Sequence, residues 1–424
     1  MQQHMDLNQL SLCEALIKIE KGETSVRQIV DACYNRIEER EEKVGAWQYL
    51  VPREEYIKKL VAHEHFYKNS ILKGLPVGIK DIIDTKGMPT EMGSEIHKAR
   101  FPLNDATCVS RLKQLGAVVM GKTVTTEFAY FRPGKTANPH NLKHTPGGSS
   151  SGSAAAVADY MVPVSLGSQT AASVIRPAAY CGVTGYVATR GEMSLRGVQP
   201  LAQSLDSLGM FARNTADIRL LRKLFLADDL VLPEIPSDLK FIQVTGSDIG
   251  DCTPEMDGVM EIAASTLREK GCVVLSGSFN GYLKQLVELH STIMAFEAAR
   301  NMTEERESPE KLSVQFSDLL ETGLKISYQE YLNALTRVDE IETWLVAEFG
   351  DAVAFLAPAS PGAAPEGLSA TGAPHMSRPW QVLGRPVVST TIAKNDLGLP
   401  LSIQLVGKRH QDDLLLAVNE VLAS

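Results

Sequence analysis

PGGSSSGSAAAVA, residues 146–158, is the stretch on which the reading of this chain turns. Glycines and serines form a loop, and an alanine-rich run then opens a helix. Such a loop presents backbone N–H groups and the positive end of a helix, a setting suited to an anion or to developing negative charge. Three readings compete. A phosphate loop fails because no Lys-Ser or Lys-Thr follows at the required spacing. Gly148-Ser149-Ser150-Ser151-Gly152 matches the nucleophile-elbow pattern G-x-S-x-G in form. That elbow needs a strand before it, and NPHNLKHTP does not read as one. A flexible serine-rich linker is opposed by the helix and strand that follow at once.

Downstream, LGSQTAASVIRPAAYCG (166–182) follows an apolar run and holds Ser173 in a turn of small residues ending at Pro177. Small side chains let a substrate approach the backbone closely; a turn packed for structure alone is the plainer alternative. Upstream, GLPVGIKDIIDTKGMPTEMGS (74–94) carries Lys80 as the one cation ending the apolar run Leu75–Ile79. Buried lysines are rare. Desolvation would lower the pKa of Lys80 and favour a neutral amine able to act as a base. The alternative is a strand-end lysine that reaches solvent.

The flanks of these segments set the fold class. LPVGI (75–79), AVVM (117–120), MVPVSLG (161–167), VAFLAP (353–358), RPVVSTTI (385–392) and LSIQLVG (401–407) are short apolar runs of the kind strands make. Helical stretches such as Val109 to Leu115 and Ser153 to Tyr160 separate several of them, which predicts an α/β sheet covered by helices on both faces. Ser11 with Glu14, and Ser25 with Gln28, form capping-box patterns. After the second, Val26, Ile29, Val30, Cys33 and Ile37 recur at three- and four-residue steps, the stripe of an amphipathic helix. Residues 1–70 are expected to be a helical region packing on a core that occupies 71–424. Between about Pro254 and Phe349 charged helical patterns dominate, broken by NMTEERESPEK. From Tyr328, Leu332, Leu335, Val338, Ile341 and Leu345 share one face. This segment, about 254–349, is expected as a mostly helical insertion, with the last strands supplied by the C-terminus.

Composition narrows the function classes. The chain has 424 residues, 44% hydrophobic and 22% charged, ample for a full core. Lys plus Arg is 42 and Asp plus Glu 51, a formal charge of −9, which argues against a nucleic-acid-binding surface. Six cysteines stand at 13, 33, 108, 181, 252 and 272, with no CxxC pair and no zinc-type spacing. They read as free thiols of a reducing compartment. The first residues, MQQHMDLNQLSLCEALIKIEKGE, lack the apolar stretch of a signal peptide. The most apolar stretch, Ala154 to Leu166, is broken by Asp159 and Pro163 and is too short to span a bilayer. A cytoplasmic protein with neither membrane nor nucleic-acid partner is expected. His63-Glu64-His65 looks like a metal pair, but residues two apart do not share a helix face, and no metal is assigned.

Taken in order, G-I-K-D around Lys80, GKTVTTEFAY (121–130), ANPHNLKHTPGGSSSGSAAAVA (137–158) and GLPLSIQLVG (398–407) resemble the amidase signature family, over most of the chain. The resemblance implies a single large mixed β-sheet covered by helices, and a serine–serine–lysine triad in place of serine–histidine–aspartate. Ser173 matches the nucleophile and Lys80 the terminal base. Ser149 matches the bridging serine, whose preceding peptide bond is cis in this family. The chemistry is coherent, since a serine hydroxyl is a weak nucleophile until a base takes its proton. Ser149 can accept from Ser173 and donate to Lys80, then reverse the relay toward the leaving amine. Backbone N–H groups of Thr170, Ala171, Ala172 and Ser173 would hold the oxyanion, a role worth ~10²–10³-fold in rate per donor. The implied activity is hydrolysis of a small carboxamide through an acyl-enzyme. Its partner is a small-molecule amide, it needs no cofactor, and a homodimer is a possible assembly.

Departures from the family pattern bear on rate and substrate. The usual Gly-Gly before the nucleophile is Ala171-Ala172 here; alanine keeps its N–H but tolerates φ > 0 poorly. The usual K-P-T is Val187-Ala188-Thr189, a matter of packing. Arg176 stands three residues after Ser173, where many members place arginine two after. With LDSLG (205–209) and the TG…W…GRP run (371–386), this looks like the malonamidase-like branch. A guanidinium near the acyl pocket can pair bidentately with a substrate carboxylate. It can equally be buried against a carboxylate of the protein. Two other functions stay open. One is the glutaminase subunit of a tRNA-dependent amidotransferase, which shares the triad and needs a partner protein. The other is a catalytically silent scaffold on the same fold, suggested by the two alanines and opposed by the intact Lys80, Ser149 and Ser173.

Overall fold

Pro76–Lys80, the run that ends on the lone lysine, is a wholly buried strand inside an eleven-stranded sheet. The computed structural model describes residues 6–226 and 238–423; residues 1–5 of the expected N-terminal region lie outside them. In chain order the strands are β1 (Trp47–Leu50), β2 (Pro76–Lys80), β3 (Val118–Thr123), β4 (Val164–Gln169), β5 (Thr184–Val187), β6 (Ser207–Ala212), β7 (Lys240–Gln243), β8 (Val273–Ser276), β9 (Ala354–Pro358), β10 (Val387–Lys394) and β11 (Pro400–Gly407). Across the sheet they run β1-β3-β2-β4-β6-β5-β10-β11-β9-β7-β8. Pairing is parallel through β3-β2-β4 and again through β9-β7-β8, and antiparallel between. This is the mixed α/β sheet that the sequence predicts, and all six apolar runs lie in it. β1, β5, β6, β7 and β8 fall outside those runs. Four of the five are only four residues long, too short for a legible alternation.

Helices cover the sheet. Both N-terminal capping boxes form, on α1 (Leu12–Glu20) and α2 (Val26–Val44), and α2 buries Ile29, Val30, Cys33 and Ile37. α3 (Ser151–Ala158) is buried from Ser151 to Val157, because only small side chains let a helix lie against β2, β3, β4 and β6 together. Gly152 makes the closest approach: a Cβ there would stand 2.2 Å from the Ala46 carbonyl oxygen and 2.4 Å from the Val124 nitrogen. α4 (Ile175–Cys181), also wholly buried, packs on β5, β10 and β11.

The stretch expected as a helical insertion divides in two. α5 (Pro254–Glu269) packs on β9, β10 and β11 and leads into β8, an edge strand of the sheet itself. The part without strands is α6 (Tyr282–Asn301), α7 (Val314–Lys325) and α8 (Tyr328–Phe349), in which α7 and α8 pack on α6. α8 buries Val338, Ile341 and Leu345, and leaves Leu332 and Leu335 half-buried. α6 also packs on α9 (Arg378–Val382), and so reaches the ends of the central strands. Among the described residues no helix is long and apolar enough to cross a membrane.

Candidate functional site

β2 and β4 pair in parallel with Val77 opposite Val164 and Ile79 opposite Leu166, so their carboxyl ends bring Lys80 beside Ser168. Open α/β sheets bind their ligands at such ends. Lys80 is fully buried and does not reach solvent. Its Nζ lies 2.7 Å from Ser149 Oγ, 3.0 Å from Ser168 Oγ and 3.3 Å from the Ser168 carbonyl oxygen. Burial pushes the Lys80 pKa down to about 7, against an upward pull from the Asp206 carboxylate. A neutral amine has two N–H donors and one lone pair. Ser168 can take both donors, leaving the lone pair to the Ser149 hydroxyl.

The serine-rich segment is pinned at nearly every hydroxyl. The Gly148–Ser149 peptide bond is cis, and Gly147 takes φ +80 where a Cβ would lie 2.9 Å from Pro177 Cα. Ser150 Oγ donates to the Ser168 carbonyl, Ser151 Oγ to Val124 and Ser153 Oγ to Leu166, at 3.3, 3.3 and 3.0 Å. The backbone N–H of Ser150 donates to the Ser173 carbonyl at 3.2 Å, which sets the two serine segments side by side. A linker would show none of this. The preceding NPHNLKHTP is a set of turns with no strand, so the nucleophile-elbow geometry is absent.

Ser149, Thr170, Ala171, Ala172, Ser173 and Arg176 all line one cavity of about 20 Å³. That is room for about one water. No acceptor among the described residues takes the N–H of Ala171, Ala172 or Ser173, whereas Val174 and Ile175 both donate to Gln169 Oε1 at 3.0 Å. Neither alanine has a positive φ, so the Gly-Gly to Ala-Ala departure imposes no backbone penalty here. No hydrogen bond joins Ser173 Oγ to Ser149 Oγ; in unliganded enzymes such contacts are often long and tighten with substrate. Thr170 anchors the turn from two sides. Its hydroxyl donates to Asp206, which also accepts from the Leu201 and Ala202 nitrogens at 3.0 and 3.1 Å. Burial pushes the Asp206 carboxyl up to about 7. On the other side His290 Nε2 donates to the Thr170 carbonyl at 2.7 Å, and burial pushes this imidazole down to about 3.

Arg176, 4% exposed, donates through Nη2 to the Gly148 carbonyl at 2.7 Å, and through Nη1 to that of Gly372. It therefore braces the loop that carries Ser149. No carboxylate of the described residues lies at ion-pair distance, and burial pushes the guanidinium down to about 10. The expected alternative of an arginine buried against a protein carboxylate is not what forms. Ser168, Asp206, His290 and Arg378 join the site without having been singled out. Ser168, Asp206 and Arg378 lie inside quoted stretches, and Ser168 stands two residues from Leu166 on a buried strand, a readable signal. His290 comes from mid-helix, with no motif around it.

Comparison with known proteins bears on the family. A glutamyl-tRNA(Gln) amidotransferase subunit from Agathobacter rectalis is 30% identical over 466 residues, covering 95% of this chain and 91% of that one. The corresponding amidotransferase subunit from Halothermothrix orenii is 40% identical over 233 residues, 53% of this chain; there the chain spans about half, 47%, of its relative's length. A crystal structure of an amidase has a TM-score of 0.89 at 26% identity, covering 98% of this chain and 99% of that one. The family model described as Amidase matches residues 28–416, and the chain belongs to the amidase family.

Proposed function

We propose that this protein hydrolyses a small carboxamide through an acyl-enzyme on Ser173. Ser173 Oγ attacks the carbonyl carbon while its proton passes to Ser149 Oγ and the Ser149 proton to Lys80 Nζ. The oxyanion is met by N–H groups of the Thr170–Ser173 turn. As the C–N bond breaks, the proton returns through Ser149 to the leaving nitrogen, and water then repeats the attack on the ester. The observation that carries this reading is the buried Lys80 amine, 2.7 Å from Ser149 Oγ and set to be neutral near pH 7. The two arginines that line the cavity, Arg176 and Arg378, support a preference for substrates bearing a free carboxylate, as in the malonamidase-like branch.

The names of the relatives favour a second reading, the glutaminase subunit of a tRNA-dependent amidotransferase working with partner proteins. Glutamine carries an α-ammonium as well as a carboxylate, and no acidic side chain of the described residues lines the cavity to receive it. That weighs toward the plain amidase. The test is ammonia release from a panel of small amides and from glutamine, with fluorophosphonate labelling of wild type and Ser173→Ala. Labelling lost in Ser173→Ala, with turnover of small amides by the isolated chain, is the expected result. Ammonia from glutamine alone, and only with added partner proteins, overturns it.

A further inference from the structure

The cavity that holds the serine turn is also lined by a second guanidinium, from within the 371–386 run. Arg378, at the start of α9, lines the same small cavity as Ser173 and Arg176. Among the described residues its one hydrogen-bond acceptor is Ser291 Oγ, 2.8 Å from Nη1. Its Nε is buried without any partner. No carboxylate of the described residues lies at ion-pair distance, and burial lowers its pKa, as it does for Arg176. A buried and a half-buried guanidinium thus line one cavity with no anion of the described residues paired to either, and Arg378 repels Arg176. An unpaired buried charge is costly, and an anion brought by the ligand relieves it. The two arginines differ in what else they hold. Arg176 spends its N–H groups on the Gly148 and Gly372 carbonyls, whereas Arg378 keeps most of its own unengaged.

We infer that Arg378 is the residue that reads substrate charge, its free N–H edge receiving the carboxylate of a short dicarboxylic acid monoamide while Arg176 chiefly braces the Ser149 loop. This rests on the amidase reading above and assigns the specificity of that site to a residue 205 positions after the nucleophile. A planar guanidinium suits a carboxylate through paired N–H bonds.

The experiment uses the full chain and two probes. Malonate, a non-hydrolysable dicarboxylate, is titrated calorimetrically into wild type, Arg378→Met and Arg378→Gln. Malonamate and malonamide, equal in size but differing in charge, are compared by kcat/KM. Each variant is expected to weaken malonate at least tenfold and to lower the malonamate-to-malonamide ratio at least tenfold, with the melting temperature retained. If one variant fails to fold, the other decides. Malonate bound by a folded variant within tenfold of wild type overturns the assignment, as does a wild type that does not bind malonate. A wild type that binds malonate but hydrolyses neither amide sinks the amidase reading instead, and the titration still judges Arg378.

Discussion

Lys80 Nζ stands 2.7 Å from Ser149 Oγ and gives its two other contacts to one residue, Ser168. Three contacts fit the amine in either state, but only the neutral state leaves a lone pair for the Ser149 proton. Burial has lowered its pKa to about 7. Below that value the ammonium dominates and the relay has no base; above it the amine is free. We expect kcat/KM to rise with pH through about 7 and then stay level into the alkaline range. Lys80→Arg should not restore activity lost in Lys80→Ala, because arginine stays charged. An active arginine variant, or a profile flat from pH 5 to 9, would remove Lys80 from the chemistry.

Ser149 joins that base to the nucleophile, and its replacement should separate proton transfer from attack. Ser149→Ala leaves Ser173 and the free N–H groups of the turn in place but cuts the relay. Turnover should fall ~10²–10⁴-fold, the usual range for a lost acid–base group. Ser173 should still react slowly with a fluorophosphonate, whereas Ser173→Ala should not react at all. Wild-type turnover in Ser149→Ala would mean that the proton leaves Ser173 by another route.

Lys122 is as buried as Lys80, and its neighbours give it the opposite role. Its Nζ donates to the Ile83 carbonyl at 2.8 Å and to Thr90 Oγ1 at 2.6 Å, and lies 3.3 Å from Asp81 Oδ1. Burial pushes its pKa down to about 8 against the upward pull of that carboxylate, so the ammonium stays mostly charged at pH 7, and neither Ser149 nor Ser173 is among its partners. Lys122→Met leaves Asp81 buried and unpaired, which typically costs ~3–5 kcal/mol. The variant should melt well below wild type, while whatever remains folded keeps the wild-type pH profile. A shifted profile with unchanged melting would place Lys122 in the catalytic path.

Much of this was legible in the residues, for physical reasons that differ from place to place. Apolar runs such as LPVGI announced β2 because a strand buried on both faces is apolar throughout. Ser25 with Gln28 announced the start of α2 because the capping bonds are local. β7 and β8 were not legible, being four-residue strands whose place is set by the neighbouring strand, β9 for β7 and β7 for β8, rather than by their own pattern. Lys80, Ser149 and Ser173 were readable from motifs, and the cavity now gathers Ser149 and Ser173 with the turn between Thr170 and Ser173. Arg378 lay inside the quoted 371–386 run but was not singled out, since an arginine before proline carries no signal until tertiary packing brings it to the cavity that Arg176 lines.

His290 is the residue whose role only packing could reveal, and it yields the sharpest kinetic separation. Its Nε2 donates to the Thr170 carbonyl at 2.7 Å, at the start of the turn that presents the Ala171, Ala172 and Ser173 N–H groups. Burial holds its pKa at about 3, so the ring is neutral throughout the working pH range and its single N–H is committed to that carbonyl. A lost bond there leaves a buried carbonyl unsatisfied and lets the turn shift. His290→Leu should lower kcat about tenfold with KM little changed, less than the ~10²–10³-fold for an oxyanion donor removed outright. His290→Gln, whose amide can donate to the same oxygen, should recover most of the loss. The rise of kcat/KM near pH 7 should survive in both variants, because it belongs to Lys80. If His290 acted as a base instead, the rise would vanish in His290→Leu and glutamine would rescue nothing.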